Sequence, residues 1–174
     1  IEKDSIELLT NREASGLIIF PTGKEYKHLE QLYENNMPCV LVDRYLPELT
    51  IPYIASDNYK GTFQATNYLI ECGHKRIACI QEISELFIDK ERIRGYKQAL
   101  EEMDIEVQDE FIKGQSFGIE NGYSSTKLLL NQPCIPTAIV GFSNLITLGI
   151  LQALKEENLK VPDDISIIGL AWND

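Results

Sequence analysis

The chain has 174 residues, of which 44% are hydrophobic and 25% charged, so it can bury a sizeable core and is typical of a globular protein with one large domain or two small ones. Its 16 basic and 27 acidic residues leave a formal net charge of −11, which argues against a surface that neutralises nucleic-acid phosphates. Neither an apolar run long enough to span a membrane nor a secretory signal is visible, so the sequence predicts a cytoplasmic protein without membrane association.

Short apolar segments alternate with segments of helical periodicity along nearly the whole chain. The predicted strands are 16–20, 39–42, 53–55, 77–80, 111–113, 137–140 and 165–168. The predicted helices are 2–13, 24–36, 60–72, 89–103, 120–131 and 145–157. Several strands are almost continuously apolar, as expected where helices cover both faces of a sheet. The alternation therefore predicts an α/β protein with parallel sheets.

The best candidate for a domain boundary follows the predicted helix 60–72. Gly73 is a typical helix stop, and a charged cluster, His74-Lys75-Arg76, precedes the next strand. We expect a hinge here, which divides the chain into 1–74 and 75–174.

The cysteines form no C-x-x-C pair, and two of them lie inside predicted strands. This pattern favours buried free thiols over a disulfide framework. Because His28 and His74 are not near a cysteine pair, we expect no zinc site. The cysteines are Cys39, Cys72, Cys79 and Cys134.

Two segments have part of an enzyme-like motif. The segment 20–24 places Gly-Lys after an apolar strand, but the preceding glycine is too distant for a phosphate loop and Glu25 replaces the hydroxyl residue. Ser124 and Lys127 have the S-x-x-K spacing, but the S-D-N and K-T-G partners are missing and both residues lie beside the apolar stripe of a predicted helix. We therefore expect neither a catalytic residue nor a cofactor.

Two places have residues suited to ligand binding. Asp57 and Asn58 stand at a strand-to-helix junction, where they can cap the helix or hold a ligand. Arg92 and Arg94 lie near the start of a helix, where the helix dipole does not stabilise a positive charge. Such an arginine can bind two ligand oxygens with its guanidinium group. Alternatively, these arginines are solvent-exposed or form ion pairs along the helix.

A series of motifs resembles the ligand-sensing domains of the lactose-repressor/galactose-repressor family. The motifs follow one another at the family's order and spacing over nearly the whole chain. They are 57–61, 68–78, 91–96 with Ala99-Leu100, 121–123, 136–139 and 161–166 with Ile168-Gly169.

The resemblance implies a two-lobed, periplasmic-binding-protein-like fold with an effector bound between the lobes. It implies that residues 1–74 form an incomplete N-terminal lobe, without its first strand and helix and its last returning strands, and that 75–174 form the C-terminal lobe. It further implies a homodimer and a helix-turn-helix head, missing here, that binds DNA.

The resemblance also assigns site residues. Arg92 matches the arginine that contacts the effector from the C-terminal lobe, and Phe117 falls where an aromatic ring often covers the ligand. Phe20 and Asp57 match positions of the N-terminal lobe that face the effector. Ser143 and Asn144 replace an Asn-Asp pair common before the next helix.

One departure bears on the ligand. After Gly169 the family usually has an aromatic residue and then aspartate, whereas this chain has Leu170-Ala171-Trp172. Ala171 cannot accept a sugar hydroxyl, and Asn173 or Asp174 can replace the aspartate only if the loop is shifted. A sugar or sugar derivative is the expected effector, with an anionic ligand paired to Arg92 as the alternative.

The leading hypothesis is therefore the effector-sensing domain of a transcription regulator. A solute-binding protein of a sugar transporter is the second candidate, since it uses a similar fold. A small α/β enzyme is the third, and turnover of a metabolite by the chain would revive it.

Overall fold

The computed structural model describes residues 2–22, 26–45 and 47–170. By their internal contacts the residues form two compact units, which divide between Ser56 and Asp57.

The first unit is a three-stranded parallel sheet, sheet A, with two helices. The elements in chain order are α1 (Glu2–Asn11), β1 (Leu17–Ile19), α2 (Lys27–Glu34), β2 (Cys39–Val42) and β3 (Tyr53–Ile54). The strands lie in the order β1-β2-β3.

The two faces of sheet A differ sharply in burial. Leu17, Ile19 and Leu41 point to one face and pack with the apolar side chains of α1 and α2. On the opposite face of the sheet, Ile18 is 72% exposed and Ile54 is 69% exposed. The core of this unit therefore lies on the helical face of the sheet.

The second unit is a four-stranded parallel sheet, sheet B, between two pairs of helices. Its elements are α3 (Asn58–Glu71), β4 (Ile77–Ile80), α4 (Phe87–Glu101), β5 (Ile112–Lys113), α5 (Ile119–Leu130), β6 (Ala138–Gly141), α6 (Asn144–Glu156) and β7 (Ser166–Gly169), with a 3-10 turn at Asp109–Phe111. The strand order is β5-β4-β6-β7. The chain thus leaves β4 to one side for β5 and returns to its other side for β6.

Alternate residues of the central strand β4 build the two halves of the core. Ile77 and Cys79 pack with side chains of α3 and α4, while Ala78 and Ile80 pack with side chains of α5 and α6. All four are at most 1% exposed. A strand covered on both faces needs apolar residues at every position, which explains the unbroken run in the sequence.

Glycines allow the paired helices to approach closely. A Cβ built on Gly95 of α4 would lie 2.2 Å from the carbonyl oxygen of Tyr59 in α3, and one on Gly149 of α6 would lie 2.1 Å from that of Ile119 in α5. Both neighbours are backbone atoms, which cannot rotate away. These positions therefore require glycine.

The predicted α/β class with parallel sheets is confirmed. Strands β2 and β4 have the predicted bounds, and the other described elements begin and end within three residues of theirs. The start of the predicted helix 24–36, and with it the Gly-Lys pair and Glu25 of the phosphate-loop comparison, lies outside the described residues.

The division between units falls before α3 rather than after it. The sequence analysis placed the boundary after residue 74, where Gly73 does end α3 with a positive φ of 94°. However, α3 packs closely on α4, and residues 57–74 group with the second unit. A helix stop marks where a helix ends but does not tell which sheet that helix covers.

The cysteines are all free thiols, but their burial differs from the prediction. Cys79 in β4 is buried and Cys39 is half-buried, whereas Cys72 and Cys134 are exposed. Cys72 caps the end of α3, and Cys134 lies in the loop after α5. The expectation of buried thiols was wrong for these two because neither lies within a strand.

Candidate ligand-binding site

Arg92 is the most constrained polar residue among those predicted to bind a ligand. It lies in the second turn of α4 and is 8% exposed. Its Nε donates to Asn58 Oδ1 at 2.9 Å, and its Nη1 donates to the carbonyl oxygen of Phe142 at 2.6 Å. Arg92 therefore joins α4 to the start of α3 and to the residue that follows β6.

Asp57 and Asn58, which the sequence could not separate, have different roles in the structure. Asp57 caps α3, because its Oδ1 accepts the backbone N–H of Lys60 at 2.9 Å. Asn58 instead accepts the Arg92 donor. The capping role of Asp57 is thus observed, while its contact with a ligand stays a prediction.

Asp89 is a buried acid that the sequence analysis missed. It is 0% exposed, and its Oδ2 accepts the backbone N–H of Ile83 at 2.8 Å. Its Oδ1 lies 4.0 Å from Arg92 Nη1 and has no hydrogen-bond partner within the described part of the chain. Burial raises the pKa of Asp89 to about 6, against the opposing effects of the Ile83 amide and the Arg92 charge.

Asn121 organises the segments that follow β4 and β5. Its Nδ2 donates to the carbonyl oxygens of Gln81, at 2.9 Å, and of Ser116. Its Oδ1 accepts from the Gln115 amide at 3.3 Å. Phe117, the residue after Ser116, is 43% exposed. Asn121 belongs to one of the family motifs, but its contact with Gln81, 40 residues away along the chain, could not be predicted from the motif.

Ser143 and Asn144 stand where β6 leads into α6. Ser143 caps the helix, since its Oγ accepts the Ile146 amide at 3.4 Å and its carbonyl accepts the Thr147 hydroxyl at 2.8 Å. Asn144 is the first residue of α6 and is exposed. Both lie directly after Phe142, whose carbonyl Arg92 binds.

These residues share one edge of sheet B. Gln81, Gly114 and Phe142 directly follow β4, β5 and β6, so they mark the carboxyl ends of three parallel strands. Between β4 and β6 the chain changes direction across the sheet, and open α/β sheets bind ligands outside such a switch point. The structure therefore brings Asp57, Arg92, Ser143 and Asn144 to the edge that suits ligand binding.

Phe20 belongs to the first unit. It directly follows β1, at the carboxyl end of that strand, and is 62% exposed. Nearby, the Glu2 carboxylate accepts the Thr22 amide at 2.6 Å and bonds His28 Nε2 at 2.7 Å. Partial burial acts to raise the pKa of Glu2, but these hydrogen bonds outweigh it and the pKa is lowered. The ligand role of Phe20 stays a prediction.

The remaining predictions concern residues that the structure uses otherwise or does not describe. Ser124 donates to the Glu120 carbonyl at 2.8 Å, and Lys127 pairs with Glu156 at 3.0 Å and with Glu157. Ala171 and the two alternatives for the sugar-binding acid, Asn173 and Asp174, lie outside the described residues. Within the described ranges, neither a metal-binding group of three or more acidic, histidine or cysteine residues nor a helix able to cross a membrane is found.

Comparison with known protein families identifies the family of this chain. Residues 1–171 match the family described as periplasmic binding proteins and sugar binding domain of LacI family. The chain belongs to this family. Its parallel sheets, with candidate residues at the carboxyl ends of their strands, are thus those of a LacI-family sensing domain, as the sequence motifs predicted.

Relatives of this LacI-family domain include repressors. The HTH-type transcriptional repressor CytR of Escherichia coli strain K12 is 36% identical over 168 residues, which are 97% of this chain and 49% of CytR. Among solved structures, transcription regulator CcpA of Lactococcus lactis has a TM-score of 0.88 at 27% identity, covering 97% of this chain and 61% of that one. A CelR–cellobiose complex has a TM-score of 0.85 at 28% identity, covering 96% and 52%. The chain spans about half the length of the curated relatives it matches.

Proposed function

We propose that this LacI-family domain senses a small effector for a cytoplasmic transcription regulator and binds it at the carboxyl edge of sheet B. The observation that carries the proposal is Arg92, a buried arginine held by Asn58 and the Phe142 carbonyl beside the switch point between β4 and β6. A fixed guanidinium can present donors to ligand oxygens without losing side-chain entropy on binding.

A neutral sugar or sugar derivative is the favoured effector class. The family description names sugar binding, and CelR is solved with cellobiose. An anionic ligand is the second candidate, because Arg92 could pair with it directly. The nearby charge of Asp89 disfavours it.

DNA binding belongs to another part of the proposed regulator. This chain carries a formal net charge of −11, which opposes contact with phosphates, whereas its repressor relatives are about twice as long. Effector binding would change operator affinity by favouring one arrangement of the whole protein. The family description also covers periplasmic binding proteins, but the names of the relatives favour the regulator over a solute-binding protein.

A homodimer is the proposed assembly. Leu145, Leu148 and Leu151 of α6 are 48%, 48% and 42% exposed and recur every three residues along one side of the helix. The opposite side of α6 is buried against the core. An apolar stripe on an otherwise well-packed helix suits a self-complementary contact between two copies.

The test is a thermal-shift screen of the chain against three panels: neutral sugars, sugar phosphates and sugar acids. A compound that raises the melting temperature in a saturable manner is then titrated by calorimetry into wild type and Arg92→Ala. We expect Arg92→Ala to weaken binding roughly 30-fold or more, since unpaired ligand oxygens cost about 2 kcal/mol. Unchanged affinity would remove Arg92 from the site.

A control must separate lost contact from lost stability. Tyr96→Phe removes a buried hydrogen bond to the Ile77 carbonyl, at the amino end of β4 and away from the candidate edge. It should lower stability while leaving affinity unchanged. The sequence preceding Ile1 in the natural gene gives a second test: a helix-turn-helix supports the regulator and a secretory signal the solute-binding protein.

A further inference from the structure

Asp89 lies beside Arg92 but has no role in the proposed function. Its carboxylate is fully buried at the base of the segment 81–86, which connects β4 to α4. One oxygen binds the Ile83 amide of that segment, and the other faces Arg92. One buried group thus contacts both the segment after β4 and the arginine assigned to the ligand.

We propose that Asp89 is a positioning residue of the candidate site: its carboxylate holds the 81–86 segment and the Arg92 side chain in one arrangement, and uptake of a proton by Asp89 loosens both. The inference rests on the proposed function for the ligand role of Arg92. The contacts of Asp89 are independent of that role.

The geometry couples the charge of Asp89 to this arrangement. Asp89 Oδ1 makes no hydrogen bond of its own within the described residues and lies 4.0 Å from the Arg92 guanidinium. The Arg92 charge therefore compensates the carboxylate together with the Ile83 and Glu82 amides. A buried carboxylate needs such compensation because its removal from water strongly disfavours the charged form. Protonation removes the attraction to Arg92, which then retains its uncharged acceptors, Asn58 and the Phe142 carbonyl.

The charged and titratable groups around Asp89 come from each neighbouring element. Arg92 on α4 stabilises the carboxylate. The side-chain charge of Glu82 in the 81–86 segment opposes it, while the Glu82 amide favours it. Cys79 of β4 is also close, but burial raises the pKa of its thiol above the usual range, so it stays neutral. With burial as the largest effect, the balance leaves the pKa of Asp89 at about 6, where small changes of cellular pH alter its charge.

The experiment follows two NMR signals of the chain without any ligand. The Arg92 Nε–H, assigned by its loss in Arg92→Lys, and the Ile83 amide are recorded from about pH 5 to 7. We expect both signals in wild type to shift together with a midpoint near pH 6, and both to stay flat in Asp89→Asn. The asparagine keeps an oxygen for the Ile83 amide but cannot titrate. Signals that do not move in folded wild type would overturn the proposal.

Glu82→Gln is the matched control, since Glu82 also titrates nearby. The transition should persist in this variant and move to lower pH, because removing a neighbouring negative charge eases ionisation of Asp89. A transition that disappears in Glu82→Gln and survives in Asp89→Asn would assign the proton to Glu82 and refute the proposal.

If Asp89→Asn does not fold, the side-chain carboxyl carbon of Asp89 in wild type provides the comparison. A midpoint that coincides with those of Arg92 and Ile83 supports the proposal, and a different midpoint overturns it. Because no effector is present, failure here leaves the proposed function standing, and failure of the ligand screen leaves this result unchanged.

Discussion

Arg92 donates its Nε–H to Asn58 Oδ1 at 2.9 Å, which fixes the second turn of α4 against the first turn of α3. The same guanidinium binds the Phe142 carbonyl, 50 residues further along the chain. The residue proposed to contact the effector therefore also holds three elements of the second unit together. Changes near it should alter both stability and binding.

Asn58→Ala should lower the free energy of unfolding by about 1–3 kcal/mol, because the Nε–H of a buried arginine loses its acceptor. Asn58→Asp keeps an acceptor oxygen and should cost less. Urea unfolding followed by circular dichroism measures both. Asn67→Ala removes an exposed bond to Glu71 on the same helix and should cost under about 0.5 kcal/mol. Equal losses in Asn58→Ala and Asn67→Ala would contradict the structural role of Asn58.

Arg92→Ala should itself destabilise the fold by about 1–3 kcal/mol, since it removes the hydrogen bonds to Asn58 and the Phe142 carbonyl and the positive charge beside the buried Asp89. The double variant Arg92→Met, Asp89→Leu removes both charges and should be more stable than Arg92→Ala. Denaturant titration of wild type, Arg92→Ala, Arg92→Met, Asp89→Leu and the double variant at pH 7 gives the comparison. If the double variant loses the sum of the single losses, the two residues are not coupled.

The free energy of unfolding should vary with pH because of the titration of Asp89. Burial raises the folded-state pKa to about 6 from an ordinary value of 3.8, so the folded chain holds this proton more tightly than the unfolded chain. The contribution of Asp89 to the free energy of unfolding therefore falls as pH rises from about 4 through 6. Wild type and Asp89→Asn should diverge over this window. A difference between them that is constant from pH 5 to about 7 would rule out this linkage.

Gly149→Ala should destabilise the chain by about 1–3 kcal/mol or more, because the new methyl group would meet the backbone of α5. Gly61→Ala in α3 is the matched control, since nothing lies within 4 Å of its added Cβ. That substitution should be neutral or stabilise by up to about 1 kcal/mol through better helix propensity. Thermal unfolding distinguishes the two, and a tolerated Gly149→Ala would mean that α5 and α6 can separate easily.

Leu148→Glu should weaken self-association of the chain if the exposed stripe on α6 joins two copies. Leu128→Glu on α5 provides a control, since Leu128 is 60% exposed and lies outside the stripe. Sedimentation equilibrium should give a larger dissociation constant for Leu148→Glu alone. An equal effect of both substitutions, or a monomeric wild type, would argue against this interface.

The apolar pattern was sufficient to predict most of the fold, since β2 and β4 are short unbroken runs bounded by turn residues. It did not predict which unit receives α3, because that depends on the packing of Gly95 against Tyr59. A motif was sufficient to name Arg92 as a candidate, and its contact with a ligand stays a prediction. Asn58 was predicted only together with Asp57, as a helix cap or ligand residue, and Asp89 was not recognised, because their roles depend on neighbours that local sequence does not reveal. Arg92 was predicted as a binding residue, and its burial and structural bonds followed only from the coordinates.

Because sheet A packs on one face, the backbone amides of the first unit should be less protected from hydrogen exchange than those of the second. Among the described residues, the strands of the first unit bury side chains on the face that α1 and α2 cover, and Ile18 and Ile54 are exposed on the sheet. In the second unit, β4 is buried on both faces. Amide hydrogen exchange reports the free energy of such local opening, and the first unit should open as a separate foldon while β4 is still protected. Limited proteolysis should accordingly cleave within residues 2–56 before it reaches sheet B.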